Sequence, residues 1–164
     1  MECCSKTDKH TRNSQISMYM LLIPALVLLL DRSTKLYALD HFLPGYFLNK
    51  YVYFHLVFNK GISWGILNYS HDALFFMVTT VVLGVTAWVA WYTYQRFKSK
   101  LPIFGELLVL AGSFSNIIDR FWYGGVIDFI GLRYNEWYFP VFNIADSAVV
   151  LGIVLLFIRQ LHEE

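Results

Sequence analysis

Long apolar runs alternate with short polar ones along this chain, and the runs are the right length for a membrane. A helix crossing the hydrocarbon core of a bilayer needs about 20 mostly apolar residues. Four segments approach that length: Ile16 to about Leu39, with the uninterrupted core "MYMLLIPALVLLL"; Ala73 to Tyr94, without a charge; Ile103 to about Ile118, interrupted by Glu106; and Val141 to Leu161. Pro24 is placed to kink the first, and Pro102 to open the third, since its missing N–H has no intrahelical partner there. The pattern predicts a mainly α membrane protein with four transmembrane helices. Residues 16–161 form one membrane domain, with tails at 1–15 and 162–164.

Two connecting segments differ in character. Residues 40–72 contain "YFLNKYVYFHLVFNKGISWGIL", rich in aromatic and β-branched residues and bounded by Gly45 and Asn68. That composition predicts strands, hence a small extracytoplasmic β-structured cap. Its aromatics also suit the interfacial belt of a bilayer. In residues 119–140, a Gly124-Gly125 turn leads to "VIDFI", an apolar stretch centred on Asp128.

Composition sharpens this picture. Hydrophobic residues make up 57% of the 164 and charged residues 15%, with a mean hydropathy of +0.47; soluble domains carry more charge than that. A net charge of +1 and no basic tract argue against nucleic acid as a partner. Cys3 and Cys4 have neither disulfide-framework nor metal-site spacing; a free pair is expected, with palmitoylation as the alternative. The first apolar run lacks a small-residue cleavage site and is expected to be retained. Lys6, Lys9, Arg12, Arg96, Lys98, Lys100 and Arg159 fall on one side of a four-span layout, against Lys50, Lys60, Arg120 and Arg133 on the other. The first side is therefore expected to be cytoplasmic, with both termini inside.

The polar residues of the spans gather at one depth, near the outer surface. Asp31 and Lys35 share a face at the end of helix 1. Asn116, Asp119 and Arg120 end helix 3, Asn143 and Asp146 start helix 4, and Asp128 lies between the last two groups. Ionisable residues in a span are functional candidates. Each also has a structural reading: an i,i+4 ion pair for Asp31 and Lys35, an N-cap for Asn143 with Asp146 at the positive helix end, and a helix-end pair for Asp119 and Arg120. Glu106, near the cytoplasmic start of helix 3, reads as structural.

Several chemistries are disfavoured. There is no G-x-S-x-G turn and no H-E-x-x-H. The five histidines are dispersed, and Ser33 and Lys35 would point apart on a helix. What remains is a pair of carboxylates, Asp128 and Asp146. Two acids close together in a low-dielectric site share one proton. That is the apparatus of an aspartic protease, which needs no metal and no cofactor. Paired acids serve proton-coupled transporters as well, so the residues alone leave both readings open. The transporter would need a polar path to the cytoplasm; helix 2 offers only Thr79, Thr80, Thr86 and Thr93, and helix 4 no charge between Asp146 and Arg159.

Five blocks carry a more specific signal: "DRSTK" (31–35), "NKGISWG" (59–65), "GSFSNIIDR" (112–120), "GGVIDF" (124–129) and "FNIAD" (142–146). In that order they resemble the signal peptidase II family, bacterial membrane aspartic proteases that process lipoproteins. The resemblance implies that Asp128 and Asp146 match the catalytic dyad. It implies that Asn59, Asn116, Arg120 and Asn143 line or support the substrate site, that Asp31, Lys35 and Asp119 are supporting residues, and that Gly61, Gly65, Gly112 and Gly125 are backbone positions. The implied substrate is a diacylglyceryl-modified prolipoprotein, cut just before its lipidated cysteine, and globomycin-type cyclic peptides occupy the same site. The implied location is the bacterial inner membrane, with the site near the outer leaflet; nothing demands an oligomer, and a monomer is expected. A catalytically inactive binder of lipoprotein precursors is a further alternative, against which the intact acids argue. Segment 46–67 is expected to close over the substrate. The chain departs from the pattern at Arg32, where glutamine is usual, and at Ser115, where glycine is usual. Serine is still small, so close packing there is expected to survive, and neither change touches the dyad.

Overall fold

The structure, a computed structural model, describes residues 3–61 and 71–163. Its elements are α1 (Cys3–His41), β1 (Tyr46–Phe47), β2 (Val52–Asn59), α2 (His71–Lys98), α3 (Phe104–Tyr123), β3 (Val126–Tyr134), β4 (Trp137–Tyr138) and α4 (Ile144–Glu163). The architecture is mainly helical with a small antiparallel sheet. Each helix runs past the C-terminal end of the apolar segment that announced it, while α3 and α4 start just inside theirs, at Phe104 and Ile144, because hydropathy marks apolar composition rather than the hydrogen-bonded ends. The difference is greatest in α1, which continues back to Cys3 through the hydrophilic stretch expected to be a tail.

Among the helices, α2 and α4 are long and apolar enough to cross a membrane, with mean hydropathies of 2.1 and 1.9 over Ala73–Lys98 and Ile144–His162. Large apolar side chains stand exposed along α1, α2 and α4, among them Leu26, Leu29, Phe76, Trp88, Trp91, Leu151 and Phe157. A water-soluble protein rarely exposes so much contiguous apolar surface; a lipid-facing one does. α3 is central and packs on all three other helices, while α1 also touches α4.

The α3–α4 contact is close because small residues face each other across it. A Cβ on Gly105 would lie 2.9 Å from the Gly152 carbonyl oxygen, and one on Gly112 would collide with the Ala145 carbonyl oxygen. Close backbone approach of this kind packs membrane helices where no hydrophobic drive separates helix from lipid. It also brings the polar face of α3 against the first turn of α4.

The sheet has the order β1-β2-β3-β4. The second connecting segment contributes β3 and β4, so the sheet is built from both connecting segments. β2 and β3 pair from Val52↔Leu132 to Asn59↔Val126, with an irregularity between Phe54 and Val57. Phe142, just ahead of α4, bridges to Ile130 of β3. The sheet seats on the helix ends through Leu56, Ile127 and Phe129, which pack with Ala38, Phe42 and Ile144.

Candidate active site

α3 ends at Gly124, whose φ of +65° gives a left-handed cap. A residue with a Cβ is strained there. The chain turns at once into β3, whose third residue is Asp128, 1% exposed. Gly125 lies against the Phe58–Asn59 backbone of β2, so β3 enters beside Asn59. The Asn59 side-chain amide donates to Asp128 Oδ2 at 2.9 Å, and its Oδ1 accepts from the Gly61 backbone at 2.7 Å.

Asp146 comes from the other side, in the first turn of α4. Asn143 caps that helix: its Oδ1 accepts from the Asp146 N–H at 2.8 Å, and its own N–H donates to Asp146 Oδ2 at 3.3 Å. This reciprocal pair is a capping box with an aspartate in the usual glutamate place. The Asn143 amide then reaches across to Asp128 Oδ1 at 2.7 Å. One side chain thus caps the helix and ties the two acids together. Asn116 of α3 adds a donor to Asp146 Oδ1 at 2.7 Å and accepts from Lys35 Nζ at 2.9 Å.

Burial and the charge of Asp146 push Asp128 up from the usual carboxylate value of 3.8 to about 7, against Asn59, Asn143 and Lys35, which favour its ionised form. Burial penalises a charge that has exchanged water for apolar surroundings, and a neighbouring like charge adds to that. Asp128 therefore exchanges its proton near neutrality.

Behind the dyad lies an ion cluster. Lys35 Nζ is 2.7 Å from Asp31 Oδ2 and 2.7 Å from Asp119 Oδ2. Arg32 is 2.6 Å from Asp119 Oδ1 and 3.3 Å from Asp31 Oδ2. Asp31 Oδ1 also accepts the Ala145 N–H at 2.8 Å, and Asp119 Oδ2 accepts the Ile127 N–H at 3.2 Å. Asp119 is taken up by Lys35, Arg32 and the Ile127 N–H, and no ion pair joins it to Arg120 among the described residues. Arg120 senses the charges of Asp146, Asp128 and Asp119; its buried Nε has no hydrogen-bond partner among the described residues.

Of the glycines singled out in the sequence, Gly112 sits where α3 and α4 touch, and Gly61 packs against Val78 of α2. Gly65, with the rest of residues 62–67 of the segment expected to close over the substrate, lies outside the described residues. The structure draws in two residues that the sequence reading left outside the site, Arg32 and Ser115. Ser115 accepts from Arg32 Nε at 3.1 Å and donates to Asp31 Oδ2 at 2.6 Å. The two positions that depart from the pattern thus touch each other, and that contact lies within reach of the Asp31 and Asp119 carboxylates. A cation beside Asp31 in a span was the signal available.

The family model for Signal peptidase (SPase) II matches residues 23–162. The chain belongs to the signal peptidase II family. It is 35% identical to a lipoprotein signal peptidase of Chromobacterium violaceum, over 82% of this chain and 85% of that one. It is 36% identical to a lipoprotein signal peptidase of Thermodesulfovibrio yellowstonii, over 84% and 91%. Its fold matches a bacterial membrane enzyme solved by the in meso method at 2.3 Å, with a TM-score of 0.67 and 27% identity over 88% of both chains. The chain is thus a peptidase of a bacterial membrane family.

Proposed function

We propose that this peptidase is an aspartic endopeptidase that removes the signal peptide from diacylglyceryl-modified prolipoproteins, cutting just before the lipidated cysteine. The observation that carries the reading is the Asn143 bridge between Asp128 and Asp146, with Asp128 exchanging its proton near neutrality. All four helices span the bacterial inner membrane and both termini are cytoplasmic. Residues 16–161 make one membrane domain that acts as a monomer, with the dyad near the outer leaflet. Acyl chains then remain in the bilayer while the peptide bond reaches the acids.

Between them the two aspartates hold one proton, on Asp128. Asp146 takes a proton from water as the water oxygen attacks the scissile carbonyl carbon, and the Asp128 proton passes to the carbonyl oxygen. The resulting diol collapses: the C–N bond breaks, Asp146 gives its proton to the leaving nitrogen, and a diol hydroxyl returns one to Asp128. No metal or cofactor takes part. Arg120, whose buried Nε has no partner among the described residues, and Asn59 and Asn116 hold the substrate backbone. Gly61, Gly65, Gly112 and Gly125 allow close backbone approach, and segment 46–67 closes over the bound chain. Globomycin-type peptides compete for the same space.

A gel-shift assay on a diacylated prolipoprotein tests this. Wild type is expected to cleave in EDTA and to stop with a globomycin-type inhibitor, and Asp128→Asn or Asp146→Asn to lose about 10³-fold or more in rate. Normal cleavage by either variant would mean the wrong acids. No cleavage by folded wild type on several precursors would move the binding and transport alternatives ahead.

A further inference from the structure

The ion cluster behind the dyad has a feature that the dyad chemistry does not use. Its two carboxylates each hold one backbone N–H, and each N–H belongs to the residue immediately before a dyad aspartate. Asp31 takes Ala145 N–H, ahead of Asp146, and Asp119 takes Ile127 N–H, ahead of Asp128. Both carboxylates are fully buried. Two buried negative charges need two positive ones, or the excess acts on whatever lies nearest. Lys35, 1% exposed, supplies one by bridging both acids. The second comes from Arg32, which also bridges both. Its guanidinium is seated by Ser115, through Nε to the hydroxyl at 3.1 Å and through a terminal nitrogen to the backbone carbonyl at 3.3 Å. The Ser115 hydroxyl donates in turn to Asp31, so serine oxygen and guanidinium fix each other's orientation.

We propose that Arg32, seated by Ser115, is a positioning residue of the dyad: it closes a neutral four-ion cluster that holds the backbone ahead of Asp128 and of Asp146 and screens both from a net negative charge. The inference rests on the dyad reading given above. Without Arg32 the cluster carries one uncompensated negative charge, separated from the dyad by Asn116 and Lys35. Of the charged groups, Asp146 of α4 and Lys35 of α1 act directly on Asp128, Asp31 of α1 acts on Asp146, and Arg120 of α3 feels Asp146, Asp128 and Asp119; β2 presents the neutral Asn59. Only the first helix changes its contribution when Arg32 is replaced.

The test compares wild type, Arg32→Gln, Arg32→Lys and Ser115→Ala in two measurements. One is the pH profile of kcat/KM for prolipoprotein cleavage. The other is the titration of Asp128 followed by carboxyl ¹³C NMR, which needs no activity. Arg32→Gln is expected to move the Asp128 midpoint and the alkaline limb of the profile up by about half a pH unit. Arg32→Lys, which keeps the charge, returns both most of the way to wild type, and Ser115→Ala produces a smaller upward shift. A wild-type profile and midpoint in folded Arg32→Gln overturn the proposal, as does Arg32→Lys shifting as far as Arg32→Gln. If wild type does not cleave at all, the protease reading falls, and the NMR midpoints still decide the role of Arg32. If Arg32→Gln does not fold, Ser115→Ala and Arg32→Lys decide it: an unmoved midpoint in Ser115→Ala overturns the proposal.

Discussion

The two ends of the bundle bury acids in opposite ways. At one end, Glu106 is fully buried and meets cations directly: Arg159 at 2.8 Å and Arg96 at 3.3 Å. These arrive from α4 and α2, so the carboxylate joins three helices by charge. At the other end, where the sheet sits, Asp128 is equally buried, yet its direct partners are the neutral amides of Asn59 and Asn143. A cation offsets the cost of burying a carboxylate charge far more than a neutral amide does. Within the sheet end the same division separates Asp31 and Asp119, held by Lys35 and Arg32, from Asp128 and Asp146. On the function proposed above, the partner of a buried acid, rather than its burial, divides scaffold from chemistry.

The comparison breaks most visibly at Asn143. Asn143→Ala removes the cap, the bridge and an Asp128 donor together. It is expected to lower kcat by about 10²-fold, as loss of an oriented donor does, and stability by about 1 kcal/mol, as loss of a helix cap does; single-turnover cleavage and thermal melts check the two parts. At the other end, Glu106→Gln is expected to cost about 2 kcal/mol, because it strips a buried ion-pair partner from two arginines. The pH profile of the remaining activity should stay where it was. A moved profile would show that the Glu106 end is more than scaffold.

A third comparison reads a slope. The folded protein favours protonated Asp128, raised from 3.8 to about 7. Its contribution to stability is fully present below the lower value and is lost as pH rises through the higher one. Asp128→Asn has no such loss. The melting temperature of the variant minus that of wild type should therefore climb between about pH 4 and pH 8, whatever its offset. A flat difference would mean that Asp128 ionises in the fold as it does in water.

Much of this was legible in the sequence, and for identifiable reasons. α2 and α4 announce themselves because a surface that faces lipid must be apolar along its whole length, and the β2 strand because its aromatics and β-branched residues cluster. Asn143 and Asp146 are readable as a cap because that motif is local. What was not legible depends on residues brought together across the fold. β3 looks like a short apolar stretch until β2 and Phe142 pair with it. Arg32 sits next to Asp31 in the chain, yet its shortest ion pair is to Asp119, 87 positions on. The roles of Gly112 and Ser115 are set by the faces of α4 and α1 that meet α3, and no periodicity names those faces.

The Asn143 bridge has a consequence for how the protein is made. The second acid, its cap and the bridge all lie at the start of α4, the final helix of the described chain. The chain from α1 to β4 holds Asp128 but not Asp146, in a helix bundle without its last wall. The two acids come together only when α4 packs beside α3. On the function proposed above, a chain whose last helix has yet to insert has no means of cutting a signal peptide.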